Sequence, residues 1–193
     1  MSIYKDVILI VDIEATCWEN HANPPGEVDE IIEVGICTLN MERRELGNKR
    51  SLLVTPIQST IGAFCTQLTT LTPELIAREG MSFEAACAIL EDEYDSRNRL
   101  WGSWGMYDHK MFIAQCKARD IRYPFSKKHA NLKRVFADVY GERMGMTKAL
   151  EKAGLQLEGT HHRGDDDAWN IGRLMVHLLE KQPGVFKKYG GAG

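Results

Sequence analysis

The sequence predicts an α/β domain in which a mixed β-sheet is covered by helices. Three observations predict it. Val7-Ile8-Leu9-Ile10-Val11 is an unbroken apolar run of strand-forming residues, as expected of a buried strand. The first third of the chain is rich in strand signals, and the rest alternates short strand signals with helical periodicity. Capping residues and breakers fall where the periodic segments start and stop.

In chain order, an early meander is predicted over 7–13, 31–39 and 51–54, with the polar segment 41–45 as a turn and Pro56 closing the section. Thr72-Pro73-Glu74 reads as a helix start, with Thr at the cap and Pro at the first helical position. Ser82 caps a helix to about Tyr94. A short strand is expected over 100–104, then helices over 109–119 and 131–140. Thr147 is expected to cap a short helix that Gly154 ends. The last helix is expected over 165–181, with Ala168, Ile171, Leu174, Met175, Leu178 and Leu179 at helical spacing and Pro183-Gly184 stopping it. The closing Gly190-Gly191-Ala192-Gly193 is expected to be disordered.

The 193 residues suffice for one core, and no Pro/Ser-rich linker divides them, so one domain is expected over 1–193, with its core at about 5–182 and a flexible tail at 183–193. With 44% hydrophobic and 26% charged residues the chain belongs with ordinary globular proteins, away from the disordered and membrane classes. No apolar run is long enough to span a bilayer, and the 7–11 run is too short and too early for a signal peptide. A cytoplasmic protein without a membrane partner is expected. Five cysteines with no C-x-x-C pair fit reduced intracellular thiols and argue against a zinc site. The net charge of −3 argues against nonspecific coating of nucleic acid. Its distribution is uneven, with eight basic residues against two acids between Asp108 and Arg134. That stretch is either a solvated helical surface or a phosphate-contacting one.

The chemistry is concentrated at the end of the first strand. Side chains alternate along a strand, so Asp12 and Glu14 project together from its carboxyl end, where sheets of this class carry their sites. Two buried carboxylates repel, and a hard divalent cation such as Mg²⁺ or Mn²⁺ is the economical remedy. At the start of the last helix stands His161-His162-Arg163-Gly164-Asp165-Asp166-Asp167. First-turn acids complement a helix dipole, but the dipole has no need of three, and the histidines add a base that titrates near neutrality. Spacing alone leaves two registers open, His162 with Asp167 or His161 with Asp166. Asp108, after the short strand and the glycines of Trp101-Gly102-Ser103-Trp104-Gly105, is either a helix cap or a fourth acid. Gathered together, Asp12, Glu14, Asp108 and Asp167 would suit a two-metal phosphodiesterase, whose ions sit about 3.5–4 Å apart, with His162 as general base.

Five ordered segments carry a resemblance: Asp12-Ile13-Glu14-Ala15-Thr16-Cys17, Glu30-Ile31-Ile32-Glu33-Val34-Gly35, Phe64-Cys65-Thr66-Gln67-Leu68-Thr69, Gly102-Ser103-Trp104, and His162-x-Gly-x-Asp166-Asp167-x-x-Asn170-Ile171. Together they resemble the DEDDh 3′→5′ exonucleases, most closely the Eri-type branch that trims RNA 3′ ends, from about Val7 to Leu179. The resemblance implies a single RNase H-like domain that binds two Mg²⁺ or Mn²⁺ ions. Asp12 matches the acid shared by both ions, Glu14 a ligand of the water-activating ion, Asp108 an acid acting through a water shell, and Asp167 the last ligand. His162 matches the general base, which chooses the His162/Asp167 register and leaves Asp166 a structural role. Phe64 and Trp104 match residues that sandwich the terminal base, a sequence-tolerant contact. Ala15 and Thr16 join them as substrate-binding candidates, and Trp18 is read as core or rim packing. In the Eri-type pattern the third acid often follows Gly-Ser-Trp directly, whereas here Gly105 stands there and Asp108 arrives three residues later, in a Tyr-Asp pair. The implied partner is nucleic acid with a free 3′ end, RNA before single-stranded DNA, bound by a monomer or homodimer. The alternatives are a phosphodiesterase restricted to short oligonucleotides and a noncatalytic RNA-binding module on the same fold.

Overall fold

The computed structural model describes residues 7–189. Its centre is a five-stranded sheet of β1 (Val7–Ala15), β2 (Ile31–Asn40), β3 (Glu45–Leu53), β4 (Leu100–Ser103) and β5 (His129–Asn131), in the order β3-β2-β1-β4-β5. The first three strands pair antiparallel, and β4 and β5 join parallel to β1, so the sheet is mixed as expected. Seven helices follow among the described residues: α1 (Ala63–Thr69), α2 (Pro73–Glu79), α3 (Phe83–Tyr94), α4 (Tyr107–Ala118), α5 (Leu132–Tyr140), α6 (Met146–Ala153) and α7 (Gly164–Lys181). None of the described helices is long and apolar enough to cross a membrane.

The pleat of β1 decides which side chains meet which helices. Ile8 and Ile10 are fully buried in a core built with Leu132, Phe136, Leu150 and the α7 residues Ala168, Ile171, Leu174, Met175 and Leu178. Leu9, Val11 and Ile13 face the opposite layer, with Phe83, Leu90 and Phe112 of α3 and α4. Asp12 and Glu14 continue the Ile8–Ile10 face, so they emerge where α7 begins.

Thr72, Ser82 and Gly154 bound their helices as expected, and Asn131, read as the first residue of its helix, is its cap. Thr72, Ser82 and Asn131 each accept a hydrogen bond from the backbone amide three residues on, and Gly154 closes α6 at φ +73°. Four expectations need correction. The cap of α6 is Gly145 and not Thr147, because the earlier start buries Met146 on one face with Ala149 and Leu150. Strand β3 begins at Glu45, well before 51, because an edge strand pairs on one side only and tolerates the polar residues that hide it in sequence. Helix α1 and strand β5 were not anticipated. The first has a glycine cap without a side-chain bond and is held by buried Cys65 and Thr69, and the second has only three residues. The supposed tail from 183 is packed as far as Tyr189, with Val185 and Phe186 in the core and the Tyr189 hydroxyl donating to Asp138. Residues 190–193, expected to be disordered, lie outside the described residues.

Candidate active site

The site forms where the end of β1 meets the start of α7, and close backbone contact sets the distance. A Cβ built on Gly35 of β2 would lie 1.8 Å from the Gly164 carbonyl carbon and 2.2 Å from the Asp165 nitrogen. Only a glycine lets the first turn of α7 rest on the sheet here. Glu33, fully buried two residues earlier, fastens that turn. Its carboxylate accepts from the Gly164 amide at 2.8 Å, from Arg163 at 3.1 Å and from the Ser51 hydroxyl at 2.5 Å. A carboxylate on a helix N-terminus is favoured by the unpaired amides there.

This seating divides the three acids of α7. Asp165 and Asp166 turn toward Lys49 of β3, and Asp166 also accepts from the Thr160 amide at 2.7 Å. Asp167 turns inward and is 4% exposed. Asp12, Glu14 and Asp167 each offer an oxygen within a sphere where all such atoms lie within 4.8 Å of one another. Asp108 comes from α4, where it sits in the first turn and not at the cap. Its Oδ1 accepts from the Ile13 amide at 3.1 Å, tying α4 to β1.

Both histidines reach this cluster. His161 Nδ1 lies 2.8 Å from Asp167 Oδ2, and the His162 backbone amide donates to the same oxygen at 3.0 Å. His162 adopts a left-handed backbone at φ +66°, and its Nδ1 stands 4.0 Å from Glu14 Oε1. The two rings stack with centroids 3.9 Å apart. The structure thus brings together Asp12, Glu14, Asp108, Asp167 and His162, and turns Asp166 away.

The electrostatics are those of a carboxylate cluster short of positive charge. Burial pushes Glu14 up to about 9, with further upward pressure from Asp167, Glu33 and Asp108. Asp12 is raised well above its ordinary value by burial and then by Asp108, Asp167 and Glu14, and burial also raises Asp108 and Asp167. The nearby cations are engaged elsewhere, Arg163 with Glu33 and Lys49 with Asp165 and Asp166. Burial, then His161, lowers His162, so its imidazole is neutral and able to accept a proton near pH 7. The donor set of converging, uncompensated carboxylate oxygens fits hard divalent cations.

A pH dependence follows. Glu14 binds a proton more tightly in the folded chain, at about 9, than at its ordinary 4.5, so the metal-free fold loses stability as pH rises between those values. Thermal melts in EDTA should fall from pH 7 to pH 9, within that window and above the range where buried His129, lowered from 6.5 to about 4, works in the opposite direction, and saturating Mg²⁺ should flatten the trend. A melting temperature that rises with pH in EDTA would contradict this.

A cleft of about 280 Å³ opens beside the acids, lined by Glu14, Ala15, Thr16, Trp18, Leu68 and Tyr107 among others. Thr16 shapes the wall without offering a polar contact, because its hydroxyl donates to the Val28 carbonyl and accepts from the Glu30 amide. Phe64 is 37% exposed on α1, one turn before Leu68. Trp104 is partly buried, its indole donating to the Met144 carbonyl at 3.0 Å and its ring against Phe136. Neither Phe64 nor Trp104 lines the cleft, and Trp18 does. Sequence reasoning missed Glu33 as the anchor of α7 and His161 as the partner of Asp167. For Glu33 the signal was present, since an acid amid the apolar β2 run is the same anomaly that marks Asp12.

The exonuclease family model matches residues 9–175. The chain is 32% identical over 190 residues to human 3′-5′ exoribonuclease 1, spanning 92% of this chain and 53% of that protein. The nuclease domain of 3′hExo, a DEDDh family member bound to rAMP, superposes with a TM-score of 0.83 at 30% identity, covering 94% of this chain and 95% of that one. A structure of a 3′-exonuclease in 3′-end recognition of histone mRNA stem-loop gives 0.82 at 30% identity, covering 92% and 83%. The chain belongs to the exonuclease family, as a DEDDh member of the Eri-type branch with an RNase H-like fold. Enzymes of this family are metal-dependent. The chain spans about half the length of the mammalian relatives it matches.

Proposed function

We propose that this chain is a single 3′→5′ exonuclease domain that hydrolyses the terminal phosphodiester of RNA at a free 3′-OH and releases nucleoside 5′-monophosphates. The observation that carries the reading is the convergence of Asp12, Glu14 and Asp167 beside His162 at the edge of a cleft. RNA as substrate is supported by the likeness to an exoribonuclease and to a nuclease domain bound to rAMP.

Asp12, Glu14 and Asp167 would hold two Mg²⁺ or Mn²⁺ ions. When bound, the ions supply positive charge to the phosphate oxygens and acidify the attacking water. Asp108, held by the Ile13 amide, would add its negative charge beside the ions. His161 orients Asp167, and the neutral imidazole of His162 takes the proton of the attacking water. By the resemblance Phe64 and Trp104 receive the terminal base beside the cleft, whose own wall includes Ala15, Thr16, Trp18 and Leu68. Five free cysteines, four of them buried, support a cytoplasmic setting.

His162→Ala is expected to reduce kcat on the order of 10²–10⁴-fold, the reach of a general base, with little change in melting temperature. The requirement for a free end is tested with uniformly labelled linear and circular RNA of one sequence in Mg²⁺. Nucleoside 5′-monophosphates from the linear form alone are expected. Cleavage of the circle would overturn the requirement for an end.

A further inference from the structure

Of the eight large hydrophobic side chains that stand exposed among the described residues, five belong to α1 or to α4 and its cap: Phe64, Leu68, Met106, Tyr107 and Ile113. Tyr107 is 54% exposed, yet it also lines the cleft beside Glu14. Helix α4 therefore leads from the site out across the surface. Lys110 and Lys117 stand exposed on that helix, two turns or about 10 Å apart along its axis. At 3.6 residues per turn they share an arc of about 80° with Tyr107 and Ala114, bordered by Met106 and Ile113.

The charges that α4 itself carries along this stripe are of one sign, with Asp29 beside Tyr107 at its cleft end. The only acid of α4 is Asp108, which is buried against the Ile13 amide. Further along the basic stretch, Arg119 is bound to Glu30 and Arg122 to Glu91. Lys110 and Lys117 make no ion pair among the described residues, so their charges remain available. A row of uncommitted cations interleaved with exposed apolar faces suits a single strand, whose phosphates meet the cations while its bases stack.

We propose that the Tyr107–Lys110–Lys117 face of α4 is the track for the nucleotides 5′ of the one being removed. Lys110 and Lys117 contact their phosphates, and Tyr107 offers the stacking surface next to the cleft. The proposal deepens the exonuclease reading and rests on it. Continuity with the cleft at Tyr107 and charge complementarity commit the face to a polynucleotide.

The test compares wild type, Lys110→Ala/Lys117→Ala and Lys110→Arg/Lys117→Arg on a single-stranded RNA dodecamer and on a dinucleotide, at several salt concentrations. With both lysines removed, kcat/KM on the dodecamer should fall about tenfold and on the dinucleotide less than about twofold, and the log–log salt slope should flatten by about 1.4. The arginine pair should restore most of the loss. Equal losses on both substrates, or an unchanged salt slope, would overturn the track while leaving the exonuclease intact. A wild-type protein inactive on both substrates would overturn the exonuclease reading and the track with it.

Discussion

Asp12→Asn should lose turnover by about 10³-fold or more, since the ligand is asked to hold charge worth several kcal/mol in the transition state. The same change should raise the melting temperature in EDTA. Asp12 faces Asp108, Asp167 and Glu14 in a buried cluster, and removing its charge relieves that repulsion. Each kcal/mol regained corresponds to about 2–4 °C for a chain of this size. A structural acid would behave oppositely, losing stability with little loss of rate beyond that expected from unfolding. Melting curves in EDTA and in Mn²⁺, beside single-turnover rates, separate the two. Wild type should gain stability from the ion and Asp12→Asn should gain less.

Gly35→Ala should be nearly as damaging to activity although residue 35 touches no substrate. The added methyl would lie 1.8 Å from the Gly164 carbon and 2.0 Å from its oxygen, so the first turn of α7 must lift from the sheet. Asp167 and both histidines ride on that turn and the loop before it. A displacement of about 1 Å at a reacting group costs on the order of 10²-fold. Overpacking of a fitted backbone contact costs about 1–3 kcal/mol in stability. A rate within threefold of wild type at a temperature where the variant is folded would show that α7 does not need this contact, and the packing account of the site would fail. Glu33→Gln is the companion change, because it weakens the ion pair to Arg163 while keeping side-chain volume.

How far the fold and site could be read from sequence depended on how much each feature departs from its local pattern. Asp12 and Glu14 interrupt an apolar strand, so the pleat placed them together without further information. The α7 register was harder. His162 with Asp167 and His161 with Asp166 share a spacing, and only the structure shows Lys49 reaching across from β3 to claim Asp165 and Asp166. No local pattern reports a contact made across more than a hundred residues. Glu33 stands out as an acid in the apolar β2 run, but its partners Arg163 and Gly164 lie at the other end of the chain and no local pattern names them. Helix α1 escaped notice because Thr66 and Thr69 are weak helix formers and its support is tertiary, through buried Cys65 and Thr69. Met146 explains the misplaced start of α6, since burial of an apolar face outweighed the capping preference of Thr147.

The clearest test is a time course on 5′-labelled single-stranded RNA with Mg²⁺, Mn²⁺ or EDTA, run beside the Asp12→Asn protein. A ladder that shortens one nucleotide at a time from the 3′ end, present with either ion and absent in EDTA and in the variant, is the expected result. Equal digestion by wild type in EDTA, or by a folded Asp12→Asn protein, would contradict the claim that these buried carboxylates form the metal centre of a 3′→5′ exonuclease.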